Sequence, residues 1–337
     1  MKKILLVRAD RMGDVVLTTP VFKAIKEQLP EAHLALLVAK ENEDLVRNHP
    51  FLDEVIAYDK KGFEGNNLFG FLTFAWKLRG KKFDVAVHFH PRGRFYWLSY
   101  FAGIPNRIGY RYKNHRLLTQ THDYDKPRGE KHEAEYNFDL LKLINVKPPV
   151  EIESIISCLP EFEQIPKQFL EQPKPYAVFN PSASSESKMW PAEFFAAVAD
   201  ELYQKYRWVP VIIGGPQDGA VSQRMERCMK QRAINLTGKL PLGALPWLFK
   251  PAKLFLSNDT GPVHVASAVG ANTLSIFLRN LPGLGVSRWR PIGKNSHYLL
   301  EEVIKTCEQS RNGQITASDI RELTPSLVLK EIESRYV

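Results

Sequence analysis

The stretch "PAKLFLSNDTGPVHVASAVG", residues 251–270, joins a short apolar run, a polar turn and a helical pattern. The run "PAKLFL" predicts a buried strand, and "VHVASAVG" has apolar residues at helical spacing and ends in a glycine. The turn between them contains Asp259, Thr260, Gly261 and, one helical turn later, His264. A strand-to-helix turn presents backbone N–H groups and the positive end of a helix dipole, so this turn predicts an anion site.

The segments around this turn repeat the alternation of strand and helix. In the C-terminal half, "YAVFNPSA", "PAEFFAAVADELYQKY", "WVPVIIGGP" and "SQRMERCMKQR" follow one another. In the N-terminal half, "KKILLV" is followed by "VVLTTPVFKAIKEQLP", and "AHLALLVA" and "FLTFAWKLRGKKFDVAVHFH" continue the pattern. Such alternation predicts an α/β protein with two Rossmann-like, doubly wound parallel-sheet domains. We expect a ligand cleft between them, at the carboxyl ends of the strands.

A proline-rich and acidic segment over 145–175 interrupts this alternation and predicts a linker. We therefore expect an N-terminal domain over residues 1–160 and a C-terminal domain over residues 175–320. Residues 321–337 predict a C-terminal helix, which we expect to pack back on the N-terminal domain.

The composition is that of a soluble globular protein, with 44% hydrophobic and 25% charged residues among 337. The N-terminal apolar run is too short for an export signal, and no run approaches the roughly 18–20 residues that span a bilayer. Cys158, Cys228 and Cys307 lie far apart, which argues against a disulfide framework or a structural zinc. These features predict a cytoplasmic location.

The net charge of +9 is unevenly distributed. No Asp or Glu lies between Asp84 and Asp123, and the same stretch contains Arg92, Arg94, Arg107, Arg111, Lys113 and Arg116. A basic, aromatic segment over 92–116 indicates an anionic partner, such as nucleic acid, a phosphorylated glycolipid or an anionic membrane surface. A solvated basic face without a partner is an equally good interpretation of charge alone.

Several common motifs are absent. The first loop, "RADRMGDVV", has a single glycine and no G-x-G-x-x-G pattern, and the chain has no P-loop. "HDYD" at 122–125 could hold a divalent metal, but its neighbours indicate a surface loop. "HFH" at 88–90 would direct both imidazoles to one face of a strand, where we expect them to line the cleft. We therefore expect no metal site and no cofactor.

Four motifs occur in an order that resembles a known family: "RADRMGDVVLTTPV", "NRIGYR", "NPSASSESKMWP" and "SNDTGPVHVASAVG". Together, over about residues 1–295, they resemble glycosyltransferase family 9, the bacterial lipopolysaccharide heptosyltransferases. The resemblance implies a GT-B fold, an ADP-heptose donor and a lipid-linked core oligosaccharide acceptor. It also implies inversion at the sugar carbon without a metal.

The first motif contains the candidate catalytic residue. Asp14 matches the family's catalytic base, which must take a proton from the acceptor hydroxyl as that hydroxyl attacks. Gly13 before it fits a close approach of the backbone to the acceptor. The alternative is that Asp14 merely caps the helix that begins at "VVLTTP".

The resemblance places the nucleotide-sugar site in the C-terminal domain. Lys188 matches the lysine that meets the donor's phosphate or ribose, and Ser184 matches a hydroxyl that can donate to phosphate. The turn of Asp259, Thr260, Gly261 and His264 matches the diphosphate site, where the helix dipole would stabilise the ADP leaving group. Weaker matches place Asp218 at the ribose and Leu240 near the adenine, although Asp218 could equally be a turn residue.

The acceptor site would use Arg107 and Arg111 of "NRIGYR", with the basic segment facing the acceptor and the inner face of the inner membrane. The chain departs from the family after Phe277, where "SIFLRNLPGLGVSRWRPIG" lacks the usual Phe-Gly turn, which affects the expected donor or acceptor preference. Three alternatives remain: another nucleotide sugar on the same fold, a nucleic-acid-binding protein that uses segment 92–116, and an inactive glycan-binding relative. The visible motifs disfavour nucleic acid, and Asp14 disfavours an inactive relative.

Overall fold

The computed structural model describes residues 2–60, 67–170, 174–300 and 323–337. The chain divides into two compact units, Met1–Ser157 and Cys158–Val337. Each unit contains a six-stranded parallel sheet among its described residues.

The first sheet has the strand order β3-β2-β1-β4-β5-β6. Its strands are β1 (Lys3–Arg8), β2 (His33–Ala39), β3 (Glu54–Tyr58), β4 (Val85–His88), β5 (Asn106–Arg111) and β6 (Gln120–Asp123). The apolar runs of β1 and β2 are buried on both faces, as a parallel sheet covered by helices requires. The order reverses between β1 and β4, so the loops after these two strands diverge and leave room for a ligand.

Five α-helices of the first unit lie within the described residues: α1 (Met12–Val16), α2 (Thr19–Gln28), α3 (Leu68–Lys81), α4 (Gly93–Phe101) and α5 (Glu133–Leu141). Helices α3 and α4 bury Phe71, Leu78, Phe95 and Leu98 in one apolar cluster with Val7 of β1. Right-handed crossovers place these helices on one face of the sheet and α2 on the other.

The second sheet repeats this topology, with the order β12-β11-β10-β7-β8-β9. Its strands are β7 (Tyr176–Asn180), β8 (Val209–Ile212), β9 (Ile234–Asn235), β10 (Leu254–Asn258), β11 (Thr273–Ile276) and β12 (Ser296–Leu299). Its described helices are α6 (Gln164–Lys167), α7 (Ala192–Tyr206), α8 (Gly219–Cys228), α9 (Leu245–Phe249), α10 (Gly261–Ala268), α11 (Val286–Trp289) and α12 (Pro325–Tyr336). The order now reverses between β7 and β10, which makes their loops the candidate ligand site of this unit.

The division between the two units falls within the expected linker. The Ile155 N–H donates to Thr19 Oγ1 at 2.9 Å and the Ser157 N–H to Leu45 O at 2.9 Å, both within the first unit. Two residues later, Leu159 O accepts from Trp247 Nε1 of the second unit at 2.9 Å. Ser157 and Leu159 therefore belong to different units, on either side of the division.

The C-terminal helix packs differently from our expectation of a return to the N-terminal domain. Helix α12 contacts α7 of the second unit and buries Val328 and Ile332 in that unit's apolar cluster. The Trp190 indole Nε1–H donates to Leu323 O at 2.9 Å, just before the helix. These contacts explain why α12 packs on the second unit: its apolar residues are buried by that unit's own helix α7 and apolar cluster.

Candidate active site

A buried charge network lies at the carboxyl end of β1, on the switch point of the first sheet. Arg8, the last residue of β1, is only 1% exposed. Its Nε lies 2.9 Å from Asp10 Oδ1, and its Nη2 lies 2.9 Å from Glu133 Oε1. The same Nη2 donates to Asp14 Oδ1. One guanidinium therefore holds three carboxylates: Asp10 from the loop after β1, Asp14 from α1 and Glu133 from the start of α5.

Lys126 and Asn137 complete this network. Lys126 Nζ lies 2.5 Å from Glu133 Oε1 and donates to Phe89 O at 3.1 Å, after β4. The Asn137 side chain accepts from Arg8 Nη1 at 3.3 Å and donates to Leu17 O at 3.2 Å. Three carboxylates face two cations, so the fully ionised network carries one net negative charge. Such a site disfavours the ionised form of its most weakly paired carboxylate.

Asp14 is the carboxylate of this network that reaches the surface. Its side chain is 14% exposed, compared with 6% for Asp10 and 0% for Glu133. Burial, reinforced by the negative charge of Asp10, raises the pKa of Asp14 to about 6, although Arg8 opposes the shift. Burial also raises the pKa of Asp10. A carboxylate with a pKa near the operating pH is suited to general-base catalysis.

In the structure, Asp14 does not cap a helix. Helix α1 spans Met12–Val16 with Arg11 at the N-cap position, so Asp14 lies inside the helix. Its carboxylate is directed to Arg8, and its backbone carbonyl accepts from Thr18 Oγ1 at 2.8 Å. Gly13 is buried beside it.

The two histidines of "HFH" have different surroundings. His88 is fully buried at the end of β4, where Nε2 lies 3.1 Å from Ser99 Oγ, and burial lowers its pKa to about 3. His90 lies just beyond the strand, with Nε2 4.0 Å from Asp10 Oδ2. Burial and then Arg8 lower its pKa to about 4, so it is neutral at pH 7. Only His90 joins the surface of the Asp14 site.

The structure separates the two predicted acceptor arginines along β5. Arg111 is the last residue of the strand, 61% exposed, with Nε 3.6 Å from Asp123 Oδ1. It lies at the sheet edge that carries Asp14, with two strand spacings of about 5 Å each between β5 and β1. Arg107 lies about 13 Å back along the strand. Its guanidinium donates to Leu117 O at 2.6 Å and also to Ile104 O, so these hydrogen bonds stabilise the neighbouring backbone.

In the second unit, Lys188 and Asp259 meet at the switch point. Lys188 follows β7 and Asp259 follows β10, and Nζ lies 2.5 Å from Asp259 Oδ2. The two side chains are 13% and 9% exposed. The ion pair joins the two loops that the reversal of strand order separates, and it keeps the ammonium beside the start of α10.

The predicted anion turn has the geometry of a helix N-terminus. Thr260 is the N-cap residue in extended conformation, and α10 begins at Gly261. Thr260 Oγ1 accepts from Asn180 Nδ2 at 3.1 Å and lies 3.0 Å from Ser257 Oγ. The first N–H groups of such a helix have no acceptor within it and carry partial positive charge. His264 is buried in the same helix.

Asp218 has partners within the protein. Its Oδ2 accepts from the Gly215 N–H at 2.7 Å and from Ser182 Oγ at 2.9 Å, which links the loops after β8 and β7. The turn interpretation therefore describes its observed contacts, while a ribose contact stays a prediction. Ser184 is exposed in the loop after β7, and Leu240 is half-buried in the loop after β9. Both lie at the carboxyl edge of the second sheet.

The loop that departs from the family pattern follows β11 at this same edge. Phe277 and Leu278 are buried. The segment is closed by Asn280 Oδ1, which accepts from the Val286 N–H at 3.2 Å, and by Trp289 Nε1, which donates to Gly283 O at 3.0 Å. The altered sequence thus forms a loop with its own internal hydrogen bonds.

Sequence reasoning missed the partners of Asp14. Arg8 is visible as a charged residue at the end of an apolar strand, which is an unusual position for a residue type that is seldom fully buried unpaired. Glu133 and Lys126 lie more than a hundred residues further on and carry no local signal. In the second unit, Ser182 and Asn180 were missed, although both belong to the quoted "FNPSA" stretch.

Metal ligation has no visible basis in the part of the chain that the structure describes, where no group of three or more His, Cys, Asp or Glu side chains could hold a metal ion. Among the same residues, no helix has the length and apolar character needed to cross a membrane.

Two Rossmann-like units, each with a six-stranded parallel sheet of the same strand order, have the architecture of a glycosyltransferase of the GT-B type. Residues 71–316 match the profile described as "Glycosyltransferase family 9 (heptosyltransferase)". The chain belongs to glycosyltransferase family 9.

Individual relatives agree with this assignment. Lipopolysaccharide heptosyltransferase 3 of Escherichia coli is 23% identical over 273 residues, which cover 79% of this chain and 80% of the relative. A family 9 glycosyl transferase from Veillonella parvula has a similar structure, with a TM-score of 0.86, 23% identity and coverage of 99% and 97%. The ADP-heptose lipopolysaccharide heptosyltransferase II of Escherichia coli aligns with a TM-score of 0.82, 18% identity and coverage of 100% and 98%.

Proposed function

We propose that this glycosyltransferase transfers heptose from ADP-heptose to a lipopolysaccharide core acceptor, with inversion at the anomeric carbon. The family match and the activities of the similar proteins support the donor and acceptor classes. The single observation that carries the mechanism is the position of Asp14, whose carboxylate is held by Arg8 at the switch point of the first sheet and still reaches the surface. The proposed reaction uses no cofactor and no nucleic acid.

In the proposed reaction, the acceptor hydroxyl attacks the anomeric carbon opposite the bond to the diphosphate. The Asp14 carboxylate takes the hydroxyl proton, the new C–O bond forms, and the bond to the β-phosphate oxygen breaks with its electrons leaving on ADP. One displacement inverts the configuration. Arg8 and Glu133 fix the position of Asp14, because Arg8 Nη2 contacts both carboxylates.

The second unit would hold the donor. Lys188 and the N-terminus of α10 present positive charge where negative charge develops on the departing diphosphate. Asp259 would repel the phosphates if it were unpaired, so its role in this proposal is to hold the Lys188 ammonium in place. Thr260 and Ser184 would donate from their hydroxyl groups, His264 would pack below the turn, and Asp218 and Leu240 would border the nucleoside.

The first unit would bind the acceptor. Gly13 allows the acceptor to approach the base, and Arg111 lies at the same sheet edge with an exposed guanidinium. Arg107 supports this region through its backbone contacts. Because the acceptor is proposed to be lipid-linked, the enzyme would act in the cytoplasm in peripheral contact with the inner face of the inner membrane.

The test is transfer from ADP-heptose to a purified core glycolipid, compared with UDP-, GDP- and CMP-sugars on the same acceptor. The proposal predicts turnover with ADP-heptose and a product of inverted anomeric configuration. Turnover only with another nucleotide sugar would assign a different donor to the same fold. Tight binding of duplex DNA or RNA at physiological salt, with no transfer, would contradict the proposal.

A further inference from the structure

An exposed aromatic patch covers the outer side of α3 and α4 in the first unit. We define the patch by its six large exposed side chains: Phe69, Leu72 and Trp76 of α3, and Trp97, Tyr100 and Phe101 of α4. Phe69 is 83% exposed and Trp76 is 75% exposed. Single exposed apolar residues are ordinary, but a contiguous group marks an interaction surface.

The helix spacing explains why these side chains point outward. On α3, Phe71, Ala75 and Leu78 face the sheet, so positions 69, 72 and 76 lie on the opposite side. The two helices are joined by an edge-to-face contact of Phe71 with Phe101, with ring centroids 6.2 Å apart. Trp97 stacks on Phe101 with centroids 5.6 Å apart. The patch is therefore one surface across two packed helices.

The stretch of sequence that forms the patch is strongly basic. Between residues 65 and 122 the only acidic residue is Asp84, compared with ten Lys and Arg. Asp84 accepts from the Lys3 N–H at the amino edge of the sheet, at 2.7 Å. Arg107 stacks over Tyr100, with its guanidinium carbon 5.5 Å from the ring centroid. An aromatic surface with a basic rim has the composition of a membrane-interface surface.

The patch also has a functional position. Helix α4 begins at Gly93, three residues after His90, whose Nε2 is 4.0 Å from Asp10 Oδ2. The nine residues of α4 extend about 13 Å and run from this edge of the sheet toward the opposite edge, where Tyr100 contacts Arg107. Docking through this patch would therefore keep the sheet edge that carries Asp14 within about one helix length of the lipid surface.

We propose that the aromatic patch docks on an anionic lipid bilayer. Tryptophan, tyrosine and phenylalanine partition into the headgroup region, while the surrounding Lys and Arg are attracted to anionic headgroups. A second copy of this chain is a poorer occupant, because a symmetric contact would bring two basic rims together. The inference rests on the proposed function in one respect, the lipid-linked acceptor, and it names the surface that would meet the lipid.

The test is flotation of the full chain with vesicles that contain neither acceptor nor nucleotide sugar. We expect the wild type to float with vesicles of phosphatidylethanolamine and phosphatidylglycerol, less with phosphatidylcholine alone, and less as salt rises. The variant Phe69→Ser/Trp76→Ser should lose about tenfold or more of its bound fraction, since it removes the two most exposed aromatic anchors of the patch. The matched control Phe169→Ser/Tyr298→Ser removes two exposed aromatics from the second unit and should bind as the wild type does.

Folding and activity separate this inference from the proposed function. The patch variant should keep the wild-type melting temperature and the wild-type rate on a delipidated core oligosaccharide. Absence of wild-type flotation, or equal flotation of the patch variant, would overturn the docking surface. Self-association in sedimentation velocity that the patch variant abolishes would assign the patch to a protein contact instead. Vesicle binding without heptosyl transfer would leave the docking surface intact and contradict only the proposed function.

Discussion

Lys188 and Asp259 form an ion pair across the switch point of the second sheet, with Nζ 2.5 Å from Oδ2. The first sheet has a counterpart at its own switch point, where Arg8, the last residue of β1, contacts Asp14. The basic partner has a different role in each unit. In the second unit the lysine remains partly exposed and can meet an anion, whereas in the first the arginine is buried and the acid reaches the surface.

Replacing Lys188 should weaken ADP binding. We expect Lys188→Ala to lose roughly 1.5–3 kcal/mol of ADP affinity by calorimetry, the scale of a charge-assisted hydrogen bond. The single variant leaves Asp259 unpaired beside the site, so Lys188→Ala/Asp259→Asn is the matched control. If both variants bind ADP as tightly as the wild type, Lys188 does not contact the donor.

The acid limb of the pH–rate profile should report the ionisation of Asp14. A general base acts only when it is ionised, so kcat/KM should fall about tenfold per pH unit below the pKa of about 6. Asp10→Asn removes a negative charge that raises the pKa of Asp14, and it should move the limb to lower pH. A limb that stays in place in this variant would indicate that another group titrates.

The same pKa predicts a stability effect. The folded-state pKa of Asp14 lies above its unfolded value of 3.8, so the folded chain binds more protons between these values and stability falls as pH rises through them. Asp14→Asn removes the ionisation and should melt higher than the wild type at pH 7, by roughly 2–4 °C for each kcal/mol relieved. The difference should vanish near pH 4. A lower melting temperature at pH 7 would mean that the carboxylate stabilises the fold.

The two arginines of β5 should behave differently. Arg111→Ala should raise the acceptor KM several-fold and leave ADP affinity unchanged, because its guanidinium is exposed at the catalytic edge. Arg107→Ala should instead lower the melting temperature, because backbone carbonyls, including that of Leu117, lose their donor. Thermal denaturation and steady-state kinetics on both variants separate the roles. An equal rise in acceptor KM without any loss of stability in Arg107→Ala would contradict this division.

The sequence predicted the two α/β units because apolar runs such as "KILLVR" alternate with helical patterns along the chain. It predicted the turn at Thr260 because strand, polar turn and helix are contiguous there. It did not predict that Glu133 and Lys126 surround Asp14, because only the strand order brings residues so distant together. The packing of α12 was also unpredictable, since its apolar stripe fits either unit by pattern alone and only the contact with α7 decides.

Asp14→Asn tests the central claim most directly. Asn keeps the shape of the side chain and can still accept a hydrogen bond from Arg8, but it cannot take a proton from the acceptor. With saturating donor and acceptor, kcat should fall by about 10² to 10⁴, the usual contribution of a positioned general base. ADP affinity should stay at the wild-type value, because the proposed donor contacts lie in the second unit. A variant with normal kcat under the same conditions would contradict the assignment of Asp14 as the catalytic base.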